Sequence, residues 1–251
     1  MKGIESHIHR MQIAQHKGLA LLIDPDKCGD QVALLQLLKA ASECAVDLFF
    51  VGGSLLSTDR FEDTLRIIKS NSNLPVVLFP GSAQQVSVHA DALLLLSLIS
   101  GRNADLLIGQ HVQAAPRIRA SGLEVLPTGY LLIDCGNATT ASYISQTMPI
   151  PHHKAEIAST TVMAGEMLGL RLFYLDGGSG ALQPVHSEMI QSVRKITSLP
   201  LIVGGGIRNY DQAHTAYKAG ADIIVVGTAV EDNLDILFDL SKAKKDAIFT
   251  T

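Results

Sequence analysis

The 251-residue sequence has no tryptophan, only 5 % aromatic residues and three cysteines. It also lacks a basic run, because 24 acidic and 20 basic side chains are spread along the chain and give a formal charge of -4. With few rings to stack on bases and no basic patch, nucleic acid is not an expected partner. The odd number of cysteines, without paired spacing, argues against a disulfide framework or a zinc site and favours reduced thiols in the cytoplasm.

Long apolar runs are missing as well. The amino terminus has no apolar core of signal-peptide length, so we predict no export signal. The most apolar stretch, Ala92 to Ile99, is too short to cross a bilayer and is typical of a strand buried on both faces. We therefore expect a cytoplasmic protein without a transmembrane segment.

Short β-branched or leucine-rich runs recur along the chain between segments with helical spacing, which is typical of parallel strands joined by crossovers. We predict eight strands: Leu19 to Ile23, Leu48 to Val51, Val76 to Phe79, Leu93 to Ser97, Glu124 to Thr128, Leu172 to Leu175, Leu201 to Val203 and Ile223 to Val226. Eight strands in about 250 residues favour a closed (β/α)8 barrel of the TIM type over an open sheet. Since 47 % of the residues are apolar and can fill one large core, residues 1–251 are predicted to form a single domain.

The connections comprise amphipathic helices and two irregular segments. Helices are predicted over Gln31 to Glu43, Thr58 to Ser70, His186 to Thr197, Asp211 to Ala219 and Asn233 to Asp246. The crossover from Gly81 to Asp91 is too short for a full helix, so we expect it to be shortened or irregular. The connection from Tyr130 to Gly169 is long, and we predict that its first half, Asp134 to Pro151, is a loop serving as a lid or a channel wall.

Glycine-rich segments follow the last three predicted strands, where barrel active sites are assembled. The Gly204–Gly206 triplet lets the backbone approach a ligand, and Gly227 with Thr228 opens the final helix. The segment Tyr174 to Gly180 adds backbone donors, a hydroxyl and a carboxylate. Exposed N–H groups and a helix amino terminus favour an anion, so these loops predict a phosphate-sized cup. The alternative is that the glycines only turn the chain between strand and helix.

A second group of polar residues follows the first two strands. Asp24, Asp26 and Ser54 offer the hard oxygen ligands that Mg²⁺ prefers, and Mg²⁺ typically takes one or two carboxylates while water and phosphate fill the other positions. A diphosphate chelated there fits this pattern. One alternative is that Asp24-Pro25-Asp26 is only a turn with a helix cap. A separate alternative is that Lys27 is a Schiff-base amine instead of a charged, paired side chain. The histidine pairs of the chain lack zinc spacing and are expected on solvated surface.

Taken as a set, the motifs resemble the geranylgeranylglyceryl phosphate synthase family. The segments that carry the resemblance run in order along nearly the whole chain: 23–27 (IDPDK), 50–54 (FVGGS), 78–82 (LFPGS), 124–130 (EVLPTGY), 149–151 (PIP) with Lys154, 174–181 (YLDGGSGA) and 203–208 (VGGGIR). The Pro-Thr-Gly-Tyr and Pro-Ile-Pro segments are not general barrel features. The resemblance implies transfer of a long prenyl group, such as geranylgeranyl, from its diphosphate to the 3-hydroxyl of sn-glycerol 1-phosphate. It implies an ether lipid precursor and diphosphate as products, Mg²⁺ as cofactor, a homo-oligomer, and peripheral membrane contact for product release.

The resemblance also assigns site residues. The family's metal positions fall on Asp24 and Ser54. Its glycerol phosphate positions fall on Tyr174, Leu175, Asp176, Gly177, Gly178, Ser179 and Gly180, on Gly205 and Gly206, and on Gly227 and Thr228. Family members commonly have Glu where this chain has the shorter Asp176, which leaves open whether the carboxylate acts directly or through water. Some members have Lys at the position of Leu22.

From these assignments follows a predicted mechanism with three catalytic residues. Asp24 holds Mg²⁺, with Ser54 and Asp26 assisting, so that the allylic C–O bond breaks with carbocation character. Asp176 orients the glycerol hydroxyl and accepts its proton, and Tyr174 assists by hydrogen bonding. An apolar groove lined by Phe79, Leu98, Ile99, Tyr130 and the long loop is expected to hold the prenyl tail.

Two other readings of the phosphate cup remain open on the residues alone. One is a barrel enzyme that acts on a sugar phosphate through a lysine imine or an acid–base pair, without a diphosphate site. The other is a non-catalytic barrel that binds a phosphometabolite or an isoprenoid, which would explain the cup but not an acidic corner beside it.

Overall fold

The computed structural model describes residues 3–248. Eight strands form a closed barrel in sequence order, and every neighbouring pair is parallel, including the closing pair of the first and last strands. The strands are β1 (Gly18–Ile23), β2 (Leu48–Val51), β3 (Val76–Leu78), β4 (Ala92–Leu98), β5 (Glu124–Leu132), β6 (Leu172–Asp176), β7 (Leu201–Gly204) and β8 (Ile223–Val226). The predicted (β/α)8 barrel is confirmed.

The helices surround this barrel. They are α1 (Ile4–Ile13), α2 (Gln31–Glu43), α3 (Phe61–Asn71), α4 (Gln110–Ser121), α5 (Thr140–Ser145), α6 (Ala155–Met167), α7 (Ser187–Ile196), α8 (Tyr210–Ala219), α9 (Thr228–Asp232) and α10 (Ile236–Ile248). A π-helix (Asp105–Gly109) leads directly into α4. The five predicted helices correspond to α2, α3, α7, α8 and α10, each within three residues of its predicted ends. Within the described residues, no helix is long and apolar enough to cross a membrane.

The core has two layers because strand residues alternate between the barrel interior and the helix-facing side. Tyr174 belongs to the interior cluster, whereas its neighbour Leu175 packs in the outer layer. Helix α1 lies at the opposite end from the strands' carboxyl termini. Its Ile8 packs with interior residues, and the Glu124 carboxylate accepts the backbone N–H of Ile4 and Glu5 at its first turn. Residues 4–13, for which no helix was predicted, therefore form a helix that closes the bottom of the barrel.

Both irregular connections lie at the carboxyl ends of strands. No helix forms in residues 79–91, as predicted for the short crossover. After β5, the predicted loop contains the short helix α5, whose Thr139 and Ser142 form a capping box. The prediction of a continuous loop was therefore wrong in part, because this local capping supports one and a half turns of helix.

Candidate active site

A cavity of about 280 Å³ opens at the carboxyl ends of the strands. Most of the residues predicted for the site line it, although they come from five different strands and the loops that follow them. They are Asp24, Ser54, Tyr174, Asp176, Gly178, Ser179, Gly180, Gly205, Gly206, Gly227 and Thr228. The structure thus brings eleven of the thirteen predicted positions to one place. Their individual roles remain predictions.

The glycine cup is formed by close backbone contact between the loops after β6 and β7. A Cβ atom on Gly206 would lie 2.3 Å from the carbonyl oxygen of Gln183, and one on Gly205 would lie 2.8 Å from the backbone nitrogen of Gly178. Both glycines also have positive φ, at +74° and +83°. Here the glycines do more than turn the chain, because any side chain would separate the loops that form the cup.

Asp176 is the buried carboxylate of this cavity. Its Oδ2 accepts the Tyr130 hydroxyl at 2.5 Å, and its Oδ1 accepts the backbone N–H of Gly178 at 2.7 Å. Burial raises the pKa of Asp176 above its ordinary value, and the two hydrogen bonds oppose this rise because they stabilise the ionised form. A carboxylate with a raised pKa beside an anion cup is suited to accept a proton from a bound hydroxyl.

Aromatic rings form the floor beneath Asp176. Tyr174 stacks on Phe79, with ring centroids 5.3 Å apart, and meets Tyr130 edge-on at 5.5 Å. Strand pairing sets this arrangement, since Tyr130 is the register partner of Tyr174. The assistance of Tyr174 by hydrogen bonding stays a prediction. The hydroxyl that donates to the carboxylate belongs to Tyr130, which reaches across from the neighbouring strand.

The acidic corner, formed by Asp24 and Asp26 after β1, lies beside the cup, because β1 pairs with β8. Burial raises the pKa of Asp24, while a backbone hydrogen bond from Asp26 and the charge of Lys27 oppose the rise. The segment Gly53–Ser54 lies against Asp24, because a Cβ on Gly53 would be 3.3 Å from its Oδ1. Asp24 also organises a turn, accepting the backbone N–H of Asp26 on Oδ1 at 3.0 Å. The segment therefore forms the predicted turn, and this turn is compatible with the predicted metal site.

Asp26 binds the loop after β2. Its two carboxylate oxygens accept the backbone N–H and hydroxyl groups of Ser57 and Thr58, and these bonds lower the pKa of Asp26 to about 2. It therefore holds the loop after β2 in place. Neither Asp24 nor Asp26 caps α2. The N-cap of that helix is Asp30, whose Oδ1 accepts the N–H of Ala33.

These residues fit Mg²⁺ better than they fit a soft metal. Among the described residues there is no group of three or more His, Cys, Asp or Glu side chains able to hold a metal ion. One carboxylate and one hydroxyl at an open cavity wall are what Mg²⁺ uses when water and substrate phosphates supply the remaining ligands. The oxygen-only donor set of Asp24 and Ser54 thus suits a magnesium ion brought in with a diphosphate.

An apolar groove of about 110 Å³ adjoins the main cavity, and the two share Gly53, Ser54, Phe79, Tyr130 and Ala141. Its other walls are contributed by the short crossover after β3, by β4, by the π-helix that follows β4 and by α5, through Pro80, Gly81, Leu96, Leu98, Leu106, Ile144 and Ser145. Three of the four residues predicted for a prenyl groove therefore lie on its wall. Ile99 does not, because it packs in the outer layer between barrel and helices.

Two predicted cup residues also lie off the cavity wall. The Leu175 side chain points to the helix-facing layer, and Gly177 lies over Cys135, whose Sγ would be 2.8 Å from an added Cβ. Both can contribute only backbone groups. The direction of the Leu175 side chain follows from the period-two alternation along β6, in which Tyr174 and Asp176 share the interior face.

Several residues that shape the site were not predicted. The buried Gln85 accepts the N–H groups of Gly53 and Gly81 and donates to the Gly53 carbonyl, so it ties the loops after β2 and β3 together. Arg208 donates to the carbonyls of Ala181 and Leu182 and braces the cup from outside. The strand and helix patterns give no signal for these contacts, because both side chains bind backbone groups of loops that approach one another only in the fold.

The closed barrel and a glycine-lined cavity at the carboxyl ends of its strands place the chain in the class of TIM-barrel proteins built to bind small phosphorylated molecules. A model of the PcrB family matches residues 11–245. The chain belongs to this family. It is 52 % identical over 235 residues to the geranylgeranylglyceryl phosphate synthase of Spirosoma linguale, covering 94 % of each chain, and 51 % identical over 227 residues to that of Chitinophaga pinensis, covering 90 % of each.

A solved structure gives the same result. The chain superposes with a TM-score of 0.92 on (S)-3-O-geranylgeranylglyceryl phosphate synthase from Thermoplasma acidophilum, which was determined in complex with its substrate sn-glycerol-1-phosphate. The two chains are 29 % identical, and the alignment covers 98 % of this chain and 100 % of the other. The predicted family resemblance is confirmed.

Proposed function

We propose that this protein transfers a prenyl group from a prenyl diphosphate to the 3-hydroxyl of sn-glycerol 1-phosphate, forming an ether and releasing diphosphate. The observation that carries the proposal is the arrangement of one cavity, in which Asp176 lies between a glycine cup and an aromatic floor that continues into an apolar groove. Family membership and the glycerol phosphate complex of the Thermoplasma acidophilum enzyme support it.

The glycine cup holds the phosphate of the nucleophile in this proposal. The close-packed loops around Gly178, Gly205 and Gly206 present backbone groups without intervening side chains, and Gly227 with Thr228 begins α9 at the same wall. Binding at this end leaves the glycerol hydroxyls facing the cavity centre, where Asp176 is. Positioning of this kind converts an encounter of two substrates into a step within one complex and supplies much of the rate.

The diphosphate belongs at the part of the cavity wall that follows β1 and β2, beside Asp24 and Ser54. These two residues would hold Mg²⁺, which when bound supplies positive charge to the leaving diphosphate. The prenyl chain then extends along the apolar groove past Phe79 and Leu98. Because residues 79–91 form no helix, the groove on this side of the barrel is walled by loops and by α5, which gives a long apolar chain room to extend.

Bond changes in the proposed reaction balance without a further reactant. The allylic C–O bond of the prenyl diphosphate breaks and its electron pair leaves with the diphosphate. The glycerol 3-oxygen forms the new C–O bond, and its proton passes to the Asp176 carboxylate. The Phe79 and Tyr174 rings beside the reacting carbon favour positive charge there through their π faces.

Rival reactions find less support in the cavity. The lysine near the cup, Lys27, forms an ion pair with Asp24 and donates to Ser179, so its nitrogen is held by these two groups and is not free to form a Schiff base. A purely binding barrel would not need the buried Asp176 between cup and groove. The homo-oligomer, the cytoplasmic location and the peripheral membrane contact stay predictions.

The direct test is incubation of the protein with sn-glycerol 1-phosphate, Mg²⁺ and a series of prenyl diphosphates from geranyl upward, with mass measurement of the product. We expect an ether-linked prenylglyceryl phosphate, with the preferred prenyl length read from the series. Glycerol 3-phosphate serves as the stereochemical control, and omission of Mg²⁺ tests the metal. Absence of product with every prenyl length would refute the proposal.

A further inference from the structure

Lys27 lies at the boundary between the cup and the acidic corner. Its ammonium nitrogen donates to Ser179 Oγ over 3.1 Å and lies 3.7 Å from Asp24 Oδ2. Ser179 Oγ is in turn 3.2 Å from Thr228 Oγ1. A single cation therefore contacts both the hydroxyl wall of the cup and the carboxylate proposed to hold the metal.

The balance of charge in the cavity makes this cation important. Among the described lining residues, four are acidic and two are basic, namely Asp24, Asp26, Asp176, Glu231, Lys27 and Arg208. Both reactants of the proposed reaction are anions, and they must bind side by side. Like charges in a partly desolvated cavity repel one another unless a cation lies between them.

Arg208 is poorly placed to be that cation. Its guanidinium donates to the carbonyl oxygens of Ala181 and Leu182, which holds it against the loop after β6 and not between the cup and Asp24. The Lys27 ammonium donates one hydrogen bond, to Ser179 Oγ, and its side chain remains 47 % exposed. An ammonium group has three donors, which leaves it able to reach oxygens of bound anions on either side.

We propose that Lys27 is a substrate-contacting residue that binds the phosphate of glycerol 1-phosphate beside Ser179 and, at the same time, an oxygen of the diphosphate beside Asp24. It thereby offsets the repulsion between the two anions and makes their binding mutually compatible. The second contact rests on the position of the diphosphate in the proposed function, whereas the first contact does not.

The first experiment measures binding of sn-glycerol 1-phosphate alone by calorimetry, without Mg²⁺ or diphosphate. Lys27→Met keeps the length of the side chain and removes its charge, and we expect about 10- to 100-fold weaker binding because a charge-assisted hydrogen bond is lost. Lys27→Arg should restore part of the affinity. Lys39→Met is the matched control, since Lys39 is exposed on α2 and pairs only with Glu43. Equal affinity of Lys27→Met and the wild type would overturn the proposal.

The second experiment repeats the titration with saturating inorganic diphosphate and Mg²⁺. In the wild type, the affinity for glycerol 1-phosphate should change little, whereas in Lys27→Met it should fall several-fold further. A residue that only braced the loop would weaken both titrations equally, and that result would overturn the bridging role. A wild-type protein that binds glycerol 1-phosphate but not diphosphate would instead contradict the diphosphate site of the proposed function, leaving the first experiment to decide the contact at the cup.

Discussion

Replacement of Tyr130 by phenylalanine tests whether Asp176 accepts the proton in the reaction. The substitution keeps the ring that meets Tyr174 edge-on and removes the hydroxyl that donates to Asp176 Oδ2 at 2.5 Å. The carboxylate then keeps one of its two hydrogen bonds, that from the Gly178 N–H. Since the lost bond stabilised the ionised form and burial opposes it, the pKa of Asp176 should rise further.

The size of this rise follows from the strength of the bond. A hydrogen bond to a charged group contributes about 1.5 to 3 kcal/mol. One pKa unit corresponds to about 1.4 kcal/mol, so the expected rise is about one to two pH units. A proton acceptor must be ionised to work, and activity therefore falls as the pH drops through its pKa. The acid limb of the pH profile of kcat/KM should move to higher pH by that amount.

The assay is prenyl transfer measured as a function of pH for the wild type and Tyr130→Phe. Tyr143→Phe is the control, because this ring on α5 is 81 % exposed. Titration of the glycerol phosphate itself is common to all variants and cancels in the comparison. An acid limb that stays in place, or moves to lower pH, would refute the assignment of Asp176 as the base.

Three further predictions concern the two anion sites and the buried carboxylate. Asp24→Asn should lower prenyl transfer at least about 100-fold, because metal charge stabilisation is worth several kcal/mol, while calorimetry shows glycerol 1-phosphate binding nearly unchanged. In urea unfolding, Gly206→Ala should lower the free energy of unfolding by more than the about 1 to 2 kcal/mol expected for an alanine in the left-handed conformation, since its Cβ would lie 2.3 Å from the Gln183 oxygen. Gly122→Ala has open space around the new Cβ and should lower the free energy of unfolding only by that amount. Asp176→Asn should abolish activity yet raise the melting temperature at neutral pH. Because the folded pKa of Asp176 is raised, its stability contribution is lost as the pH rises through that pKa, so the gain should disappear in acid.

The barrel could be predicted from sequence because its strands are buried on both faces. Such strands appear as short, continuous apolar runs, and all eight runs became strands. The helices that were missed show where this signal fails. Helix α4 contains Pro116 and buries only Ala114 and Ile118, so it has little apolar periodicity. Helix α1 buries only Ile8 and Met11, because it covers the end of the barrel instead of lying along its side.

The location of the site could be predicted for a related reason. In a parallel barrel, every segment that follows a strand reaches the same rim, so Asp24, Ser54 and the glycine loops had to approach one another once the strands were known. Side-chain direction could have been predicted too. The period-two alternation along β6 places Tyr174 and Asp176 on the interior face and Leu175 on the other.

Side-chain contacts between neighbouring strands could not be predicted in this way, because they depend on the register of the strand pairing. Tyr130 pairs with Tyr174, and Leu132 pairs with Asp176, so Tyr130 is a diagonal neighbour of the carboxylate and a long side chain can reach it. A shift of the β5 register by two residues would keep every apolar pattern in the sequence and yet remove this hydrogen bond. The pKa of the proposed base thus depends on a register that the strand pattern does not encode. The pH profile of Tyr130→Phe consequently tests the chemistry and this feature of the fold together.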